Sequence, residues 1–594
     1  MKKYDIIVID CGYFGEYECI DCIDLCRSNS SAPSSPSEHG TIITDIIIDN
    51  APPTASILSL KITDDQATFS EEDLLFALQF IYEKQLRSKI INISLGIVEA
   101  TQILNLKNLV KQLLDTDCVI ISAMHPLCYS YPAAFSNVIS VDVSESIRFK
   151  EHATFDRSEL NITYPNQSVK RITKSGAFFD KGASYWCAQL SGTLLSYFEK
   201  HAIESGFLDA AQKYLSQSYE KTLLNATFPN VSGSSFVKSI KKAILFPFNK
   251  ETCAIISNQD LLSFDITGIF DFDISLNKGK KVEELISLQL NNPLKNIRIG
   301  TLKNLNWSSD FDTLILGHIA EYEHITATPL LPSIIELCRE HRKRLYSFDP
   351  LPVQSSTCFN CFDPNIRSQP SFVNPTGKLF SCGIPVVFVA GTSSVQGKFF
   401  LQLELRRQLQ LQGYQVSNIG TEPSGYLFGF DTVFPIGYNS LMQLTPFQFI
   451  SLVNHSLHSS ECFGNDIAII GSQSGTIPDY VNNLSYYPIF QYQLLIGANP
   501  DAIILCVNAF DSYERIERTL SFLQGATCAE ILCLFLSPLD SPYQSKSMRD
   551  KRPLLSKEVT DKSAKELQNK FNIPVFSIYS PPESLTKFIL DYFS

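Results

Sequence analysis

The chain has 594 residues, 44% apolar and 19% charged, with a net charge of −12. That length exceeds what one hydrophobic core supports and predicts three or four domains. The acidic balance excludes the basic footprint of a nucleic-acid-binding protein, and the composition is that of a globular chain rather than a disordered one. No run of about 18 apolar residues occurs, so no membrane span is expected. The opening "MKKYDIIVIDCGY" has an apolar run interrupted by Asp5 and Asp10, too short for a secretory segment. Sixteen cysteines without an export signal predict reduced thiols and a cytoplasmic location.

In chain order, "YDIIVID" (4–10) reads as a buried strand, followed by Gly12 and a cysteine-bearing loop. "NSSAPSSPSEHG" (29–40) is a Ser/Pro loop. The β-branched run "TIITDIII" (41–48) precedes "SILSLKI" (56–62), read as another strand. "SEEDLLFALQFIYEKQL" (70–86) opens with a capping box, Ser70 to Asp73, and places apolar residues at 74, 75, 78 and 81, one face of a helix. "KIINISLG" (89–96) is a strand, "LKNLVKQLLDTD" (106–117) a helix and "CVIISAM" (118–124) a strand. This alternation predicts a parallel sheet covered by helices. Residues 206–238 are rich in Ser and Asn and read as a linker. A second α/β rhythm starts at "KKAILFPF" (241–248), and a third unit opens with "IPVVFVAGTSSVQGKFF" (384–400).

Three short segments in the first unit lie in the order Asp, His, Ser. They are "VIDCG" (8–12) with Asp10, "HGT" (39–41) with His39, and "GASYWCAQLSG" (182–192) with Ser184. Between them fall "INISLG" (91–96) and "SYPAAFSNVISV" (130–141). Together these five ordered segments resemble the subtilase family of serine proteases, over about the first 205 residues. The resemblance implies a relay in which Asp10 orients His39, His39 takes a proton from Ser184, and Ser184 attacks a peptide carbonyl. It also implies that Ser94, Leu95 and Gly96 pair with an extended substrate. Where the family carries an oxyanion-donating Asn, the register set by Tyr131–Pro132 places His125. Loss of one such donor costs roughly 100- to 1000-fold in turnover, so His125 has to donate in its place. Trp186 and Ala188 are further departures from the family's Ser motif.

"VVFVAGTSSVQGKFF" (386–400) is a strand, a Gly-bounded turn with a lysine, and a helix start, the context of a phosphate-binding loop. Its spacing, one residue longer than the standard pattern, resembles dethiobiotin-synthetase-like P-loop proteins. The resemblance implies phosphate contacts from Gly391, Thr392, Gly397 and Lys398, with Glu422 of "GTEPSG" as an acidic substitute, and ATP or GTP as ligand. Phe399 stands where a magnesium-binding Ser or Thr is expected, and "DIAIIGSQSG" (466–475) ends without an acidic residue, so binding is expected ahead of hydrolysis. "VNAFD" (507–511) has the Asn-x-x-Asp spacing of GTPase base recognition. "GTSSVQGK", "GTEPSG", "GSQSGTIP" and "PDAIILCVN" also resemble bacterial peptide maturation system proteins, over roughly 240–540.

Cys11, Cys19, Cys22 and Cys26, and likewise Cys358, Cys361 and Cys382, are expected to be reduced thiols, and no metal site is expected. His318 and His324, flanking Glu321 and Glu323, read as solvated loop residues. The domain expectation is a subtilisin-like parallel-sheet domain (1–205), a linker (206–238), a Rossmann-like α/β domain (239–380) and a P-loop NTPase-like α/β domain (381–594). The functional expectation is a cytoplasmic serine endopeptidase that cleaves a peptide precursor. It would need no cofactor for proteolysis, would partner with maturation enzymes, and would bind neither nucleic acid nor membrane. The alternative is a weak or inactive protease-fold scaffold that holds the precursor.

Overall fold

In the computed structural model the apolar runs form three largely parallel sheets flanked by helices. The structure describes residues 3–594 apart from 16, 18–19, 27–37, 64–67, 145–153, 157–159, 167, 174–175, 204, 222–232, 287–291, 353–359, 367–376, 437–442, 479 and 539–553. The chain divides into two compact units. Unit 1 comprises Met1–Thr227 and Pro370–Gly383, and unit 2 comprises Phe228–Gln369 and Ile384–Ser594. Residues 377–380, read from sequence as the end of the second domain, therefore group with the first unit. No helix among the described residues is long and apolar enough to cross a membrane.

Unit 1 contains β1 (Ile6–Asp10), β2 (Ile20–Asp24), β3 (Ile57–Lys61), β4 (Ile90–Ile93), β5 (Val119–Ala123), β6 (Ile139–Ser144), β7 (Thr154–Asp156), β8 (Asn161–Pro165), the hairpin β9 (Val169–Thr173) and β10 (Gly176–Asp180), and β11 (Glu220–Lys221). Nine of these form one sheet in the order β11-β7-β8-β6-β5-β4-β1-β3-β2, parallel except for the β7–β8 pair. β1 lies between β3 and β4, with Ile9 opposite Leu60 and Ile93, and all five of its residues are buried. A strand covered on both faces favours such an unbroken Ile/Val run over an alternating one.

The helices of unit 1 are α1 (His39–Asn50), α2 (Glu71–Glu83), α3 (Ile103–Leu114), α4 (Ala183–Lys200) and α5 (Phe207–Ser218). α2 begins at the expected capping box: Ser70 Oγ accepts from the Asp73 N–H at 3.2 Å, and Asp73 Oδ2 accepts from the Ser70 N–H at 2.9 Å. The β-branched run 41–48 lies within α1, because Ile43, Ile46 and Ile47 share one buried face and tertiary burial overrides the weak β preference of branched residues. One expectation is corrected. The linker expected at 206–238 contains α5, which buries Ala210, Ala211 and Leu215, and a helix at Gly233–Lys238. Most of the Ser/Pro loop lies outside the described residues.

Unit 2 holds a six-stranded and a seven-stranded sheet, both parallel throughout. The first comprises β12 (Lys242–Phe246), β13 (Asp265–Asp271), β14 (Gly300–Thr301), β15 (Thr313–Leu316), β16 (Arg344–Ser347) and β17 (Cys361–Phe362), in the order β14-β13-β12-β15-β16-β17. The second comprises β18 (Val386–Gly391), β19 (Val416–Gly420), β20 (Thr432–Val433), β21 (Ile467–Gly471), β22 (Ala502–Asn508), β23 (Glu530–Ser537) and β24 (Val575–Ser577), in the order β20-β19-β21-β18-β22-β23-β24. β18 is fully buried in the middle and delivers the Gly-rich turn to the carboxyl edge, where ligands bind in open α/β sheets.

Candidate active site

Three remote segments of unit 1 converge at the carboxyl edge of the nine-stranded sheet. Asp10 ends β1, His39 starts α1, and Ser184 lies in the first turn of α4. His39 Nδ1 is 2.8 Å from Asp10 Oδ1, and His39 Nε2 is 3.3 Å from Ser184 Oγ. The Cys11 N–H donates to the same Asp10 oxygen at 2.7 Å, which fixes the carboxylate while it is 1% exposed. Burial pulls the His39 imidazole down, but hydrogen bonds with Asp10 and Cys11, together with the Asp10 charge, push it up to about 10.

Local packing explains the motif residues around these groups. A Cβ on Gly40 would lie 2.3 Å from the Gly12 carbonyl oxygen, so the glycine of "HGT" lets α1 start against the β1 loop. A Cβ on Gly192 would lie 2.5 Å from the Ile47 carbonyl oxygen, so the closing glycine lets α4 cross α1 closely. Asn92 of β4 donates to Ser191 Oγ at 3.0 Å and thereby anchors α4 over the sheet. Trp186, a departure from the family motif, stacks on Tyr164 with centroids 4.4 Å apart.

The β4 ladder ends at Ile93, and Ser94, Leu95 and Gly96 follow it. Ser94 Oγ donates to Asn92 Oδ1 at 2.8 Å and reaches the Ser184 carbonyl at 3.4 Å, placing this stretch beside the relay. His125 lies two residues beyond the end of β5. Its N–H donates to Ser130 Oγ at 2.9 Å, and its Nδ1 accepts the Leu127 N–H at 3.3 Å. Cys128 Sγ is also 3.3 Å from that nitrogen. With Nδ1 occupied as an acceptor, the neutral ring carries its proton on Nε2 and can donate from there. Burial and the Lys378 charge both hold His125 below the usual imidazole range, favouring that neutral form. Among the described residues no hydrogen bond joins His125 to Ser184. The structure thus unites Asp10, His39 and Ser184, and sets His125 on the same sheet edge without linking it to them.

Lys378 was not legible from the sequence. It comes from Gly377–Gly383, donates to the His125 carbonyl at 2.7 Å and forms an ion pair with Asp142 of β6. Lys378 is 3% exposed and Asp142 1%.

In unit 2, Gly397 takes φ +79° as the cap of the helix Lys398–Leu411. Lys398 Nζ donates to the Ser393 carbonyl at 2.7 Å. A cavity of about 240 Å³ is lined by Gly397, Lys398, Glu422, Lys250 and Gln473, among others. Gly391 and Thr392 do not line it, since the Thr392 hydroxyl is bonded to Asp511 and accepts from Gln396 Nε2 at 2.6 Å. Gln396 Oε1 in turn accepts the Ser393 N–H at 3.0 Å. Burial pulls Lys398 down to about 8 and raises the Glu422 carboxyl. Phe399 packs against Phe428 and Phe430, and the Ser472 hydroxyl donates to the Val389 carbonyl at 2.8 Å. That donor set does not fit a magnesium ion held by the loop. The "VNAFD" segment braces the loop instead of extending toward a base: Asp511 accepts from the Asn508 N–H at 2.8 Å and from Gln396 at 3.0 Å. Arg515, which donates to the Thr392 carbonyl at 2.6 Å, is the loop residue that sequence reasoning missed.

His318 is not a solvated loop residue. It is 13% exposed and pairs with the buried Asp349 at 2.7 Å. Among the described residues one trio of metal-ligating side chains converges, Asp10, Cys11 and His39, with ligand atoms within 4.8 Å of one another. Cys22 is exposed and Cys26 partly exposed, while Cys19 and Cys358 lie outside the described residues. Burial pushes the thiols of Cys118 and Cys187 up to about 12, which disfavours their thiolate forms.

Residues 375–585 match the model of the family described as DUF1611, a domain of unknown function with a P-loop domain. The carboxy-terminal region carries a DUF1611 P-loop domain. Among solved structures, a DUF1611 family protein from Anabaena variabilis is similar at 14% identity and a TM-score of 0.41, covering 59% of this chain and 99% of its own. The prenylagaramide maturation protease PagA is similar at 20% identity and a TM-score of 0.27, over 38% of this chain and 84% of its own. A cold-adapted subtilisin-like serine proteinase follows at 16% identity and a TM-score of 0.28, over 36% of this chain and 81% of its own. No curated protein matches the chain.

Proposed function

We propose that the chain is a cytoplasmic subtilisin-like serine endopeptidase that cleaves a peptide precursor, removing a leader in the maturation of a ribosomally made, modified peptide. Its DUF1611 P-loop domain binds a nucleotide or phosphate. The observation that carries the protease reading is the hydrogen-bonded series Asp10–His39–Ser184 at 2.8 and 3.3 Å. Ser184 Oγ attacks the scissile carbonyl and His39 Nε2 takes its proton. The tetrahedral oxyanion meets the N–H groups at the start of α4 and the Nε2–H of His125. His39 then returns the proton to the leaving amine, and water releases the acyl group by the same route. Asp10 keeps the imidazole oriented and stabilises its charged form, so the relay uses protein groups alone. Beyond Ile93, Ser94–Leu95–Gly96 supports the binding of an extended peptide by strand addition. The resemblance of unit 2 to peptide maturation system proteins supports a precursor as that peptide.

A fluorophosphonate probe reacts with an activated serine. The full-length chain is expected to be labelled, and Ser184→Ala to lose labelling and cleavage of a precursor peptide while its melting temperature holds. Well-folded wild-type chain that takes no label would instead favour a precursor-binding scaffold.

A further inference from the structure

The loop that follows β5 is fastened by a piece of chain from far downstream. Lys378 Nζ bonds the His125 carbonyl and pairs with Asp142, and both charged groups are almost fully buried. The next residues continue the attachment. The Tyr129 N–H donates to the Leu379 carbonyl at 3.4 Å, and Phe380 stacks on Tyr129 with centroids 4.0 Å apart and planes 12° from parallel. From the other side, Ser130 Oγ holds the His125 N–H at 2.9 Å and fills the space beside Gly96. The backbone of His125 is therefore held at its N–H by Ser130 within the loop and at its carbonyl by Lys378 from outside it.

We infer that Lys378 is a positioning residue for proteolysis, and that Gly377–Gly383 is a strap that completes the oxyanion side of unit 1. The inference rests on the protease reading. A buried lysine beside a carboxylate can be a purely structural pair. Here the same ammonium also bonds the backbone of the residue that would donate to the oxyanion, and two further contacts follow in the next two residues. Oxyanion stabilisation depends on donor placement, and a misplacement of about 1 Å can cost on the order of 100-fold in rate. Among the described residues Lys378 bonds the His125 carbonyl and Asp142, so the strap acts through the loop.

The test uses full-length chain and fluorophosphonate labelling, resolved into the affinity for the probe and the maximal rate of reaction. Lys378→Met leaves Asp142 buried without its cation, so it is compared with Lys378→Met combined with Asp142→Asn, which removes both charges. The expected result is a double variant that melts near wild type, binds the probe with unchanged affinity, and reacts about 10- to 100-fold more slowly. Phe380→Ala, which keeps the ion pair and removes the stacking, is expected to slow the maximal rate several-fold. A folded double variant or a folded Phe380→Ala reacting at the wild-type rate would overturn the strap and leave the protease reading standing. Wild-type chain that does not label would overturn both.

Discussion

At the scale of single residues, the Asp10–His39 pair dictates how the site responds to pH. Protonated His39 cannot accept the Ser184 proton, so the labelling rate is expected to rise with pH toward a midpoint near 10. Asp10→Asn is expected to move that midpoint down toward the ordinary imidazole value and to lower the maximal rate by about 10⁴. Rate-versus-pH profiles of the two proteins check both effects. The stability contribution runs the other way. Because the folded-state value is raised, it is fully present below pH 6.5 and fades as the pH climbs through about 10. Asp10, His39 and Ser184 could be read from the sequence because each sits in a short motif whose neighbours, Gly12, Gly40 and Gly192, are required by local close approaches. Lys378 and Asp142 could not, since a buried pair of residues 236 apart in the chain leaves no local pattern.

At the scale of elements, the strand–loop–helix around Lys398 combines a predicted unit with an unpredicted brace. The β18 strand and the helix Lys398–Leu411 follow from an apolar run and a Gly-bounded turn, both local features. The bracing by Asp511 and Arg515 arrives from the end of β22 and the helix after it, and spacing alone could not separate a brace from a base-reading pair. Lys398 is a cation in the wall of the cavity, and a charge-assisted bond to a phosphate contributes about 1.5–3 kcal/mol. Lys398→Ala is therefore expected to weaken binding of ATP, GTP or pyrophosphate by about 10- to 100-fold in titration calorimetry. Chelating magnesium is expected to leave the wild-type affinity in place, because Phe399 is committed to Phe428 and Phe430. The same contrast explains α1. Its branched side chains suggest a strand, and the buried face shared by Ile43, Ile46 and Ile47 makes it a helix.

At the scale of the whole molecule, the three-sheet α/β architecture was legible because alternating helical and strand periods are carried by each segment independently. The assignment of segments to units was not, since it depends on which distant surfaces meet. Gly383 is three residues from the start of β18, yet it belongs to the unit that contains β5 and β6. Lys378→Met leaves a buried carboxylate unpaired, a change that typically costs about 3–5 kcal/mol. Hydrogen exchange read by mass spectrometry is expected to speed several-fold in peptides covering 119–144, while peptides covering 386–391 exchange as in wild type. Acceleration in the latter with protection of the former would contradict the division. The order of synthesis gives this arrangement a consequence. A nascent chain that has emerged as far as Thr227 still lacks the lysine that closes its first unit, and the six-stranded sheet must be translated before that lysine exists. At roughly 5–20 residues per second the interval is on the order of ten seconds. During that interval the loop after β5 exists without the residues that later fasten it.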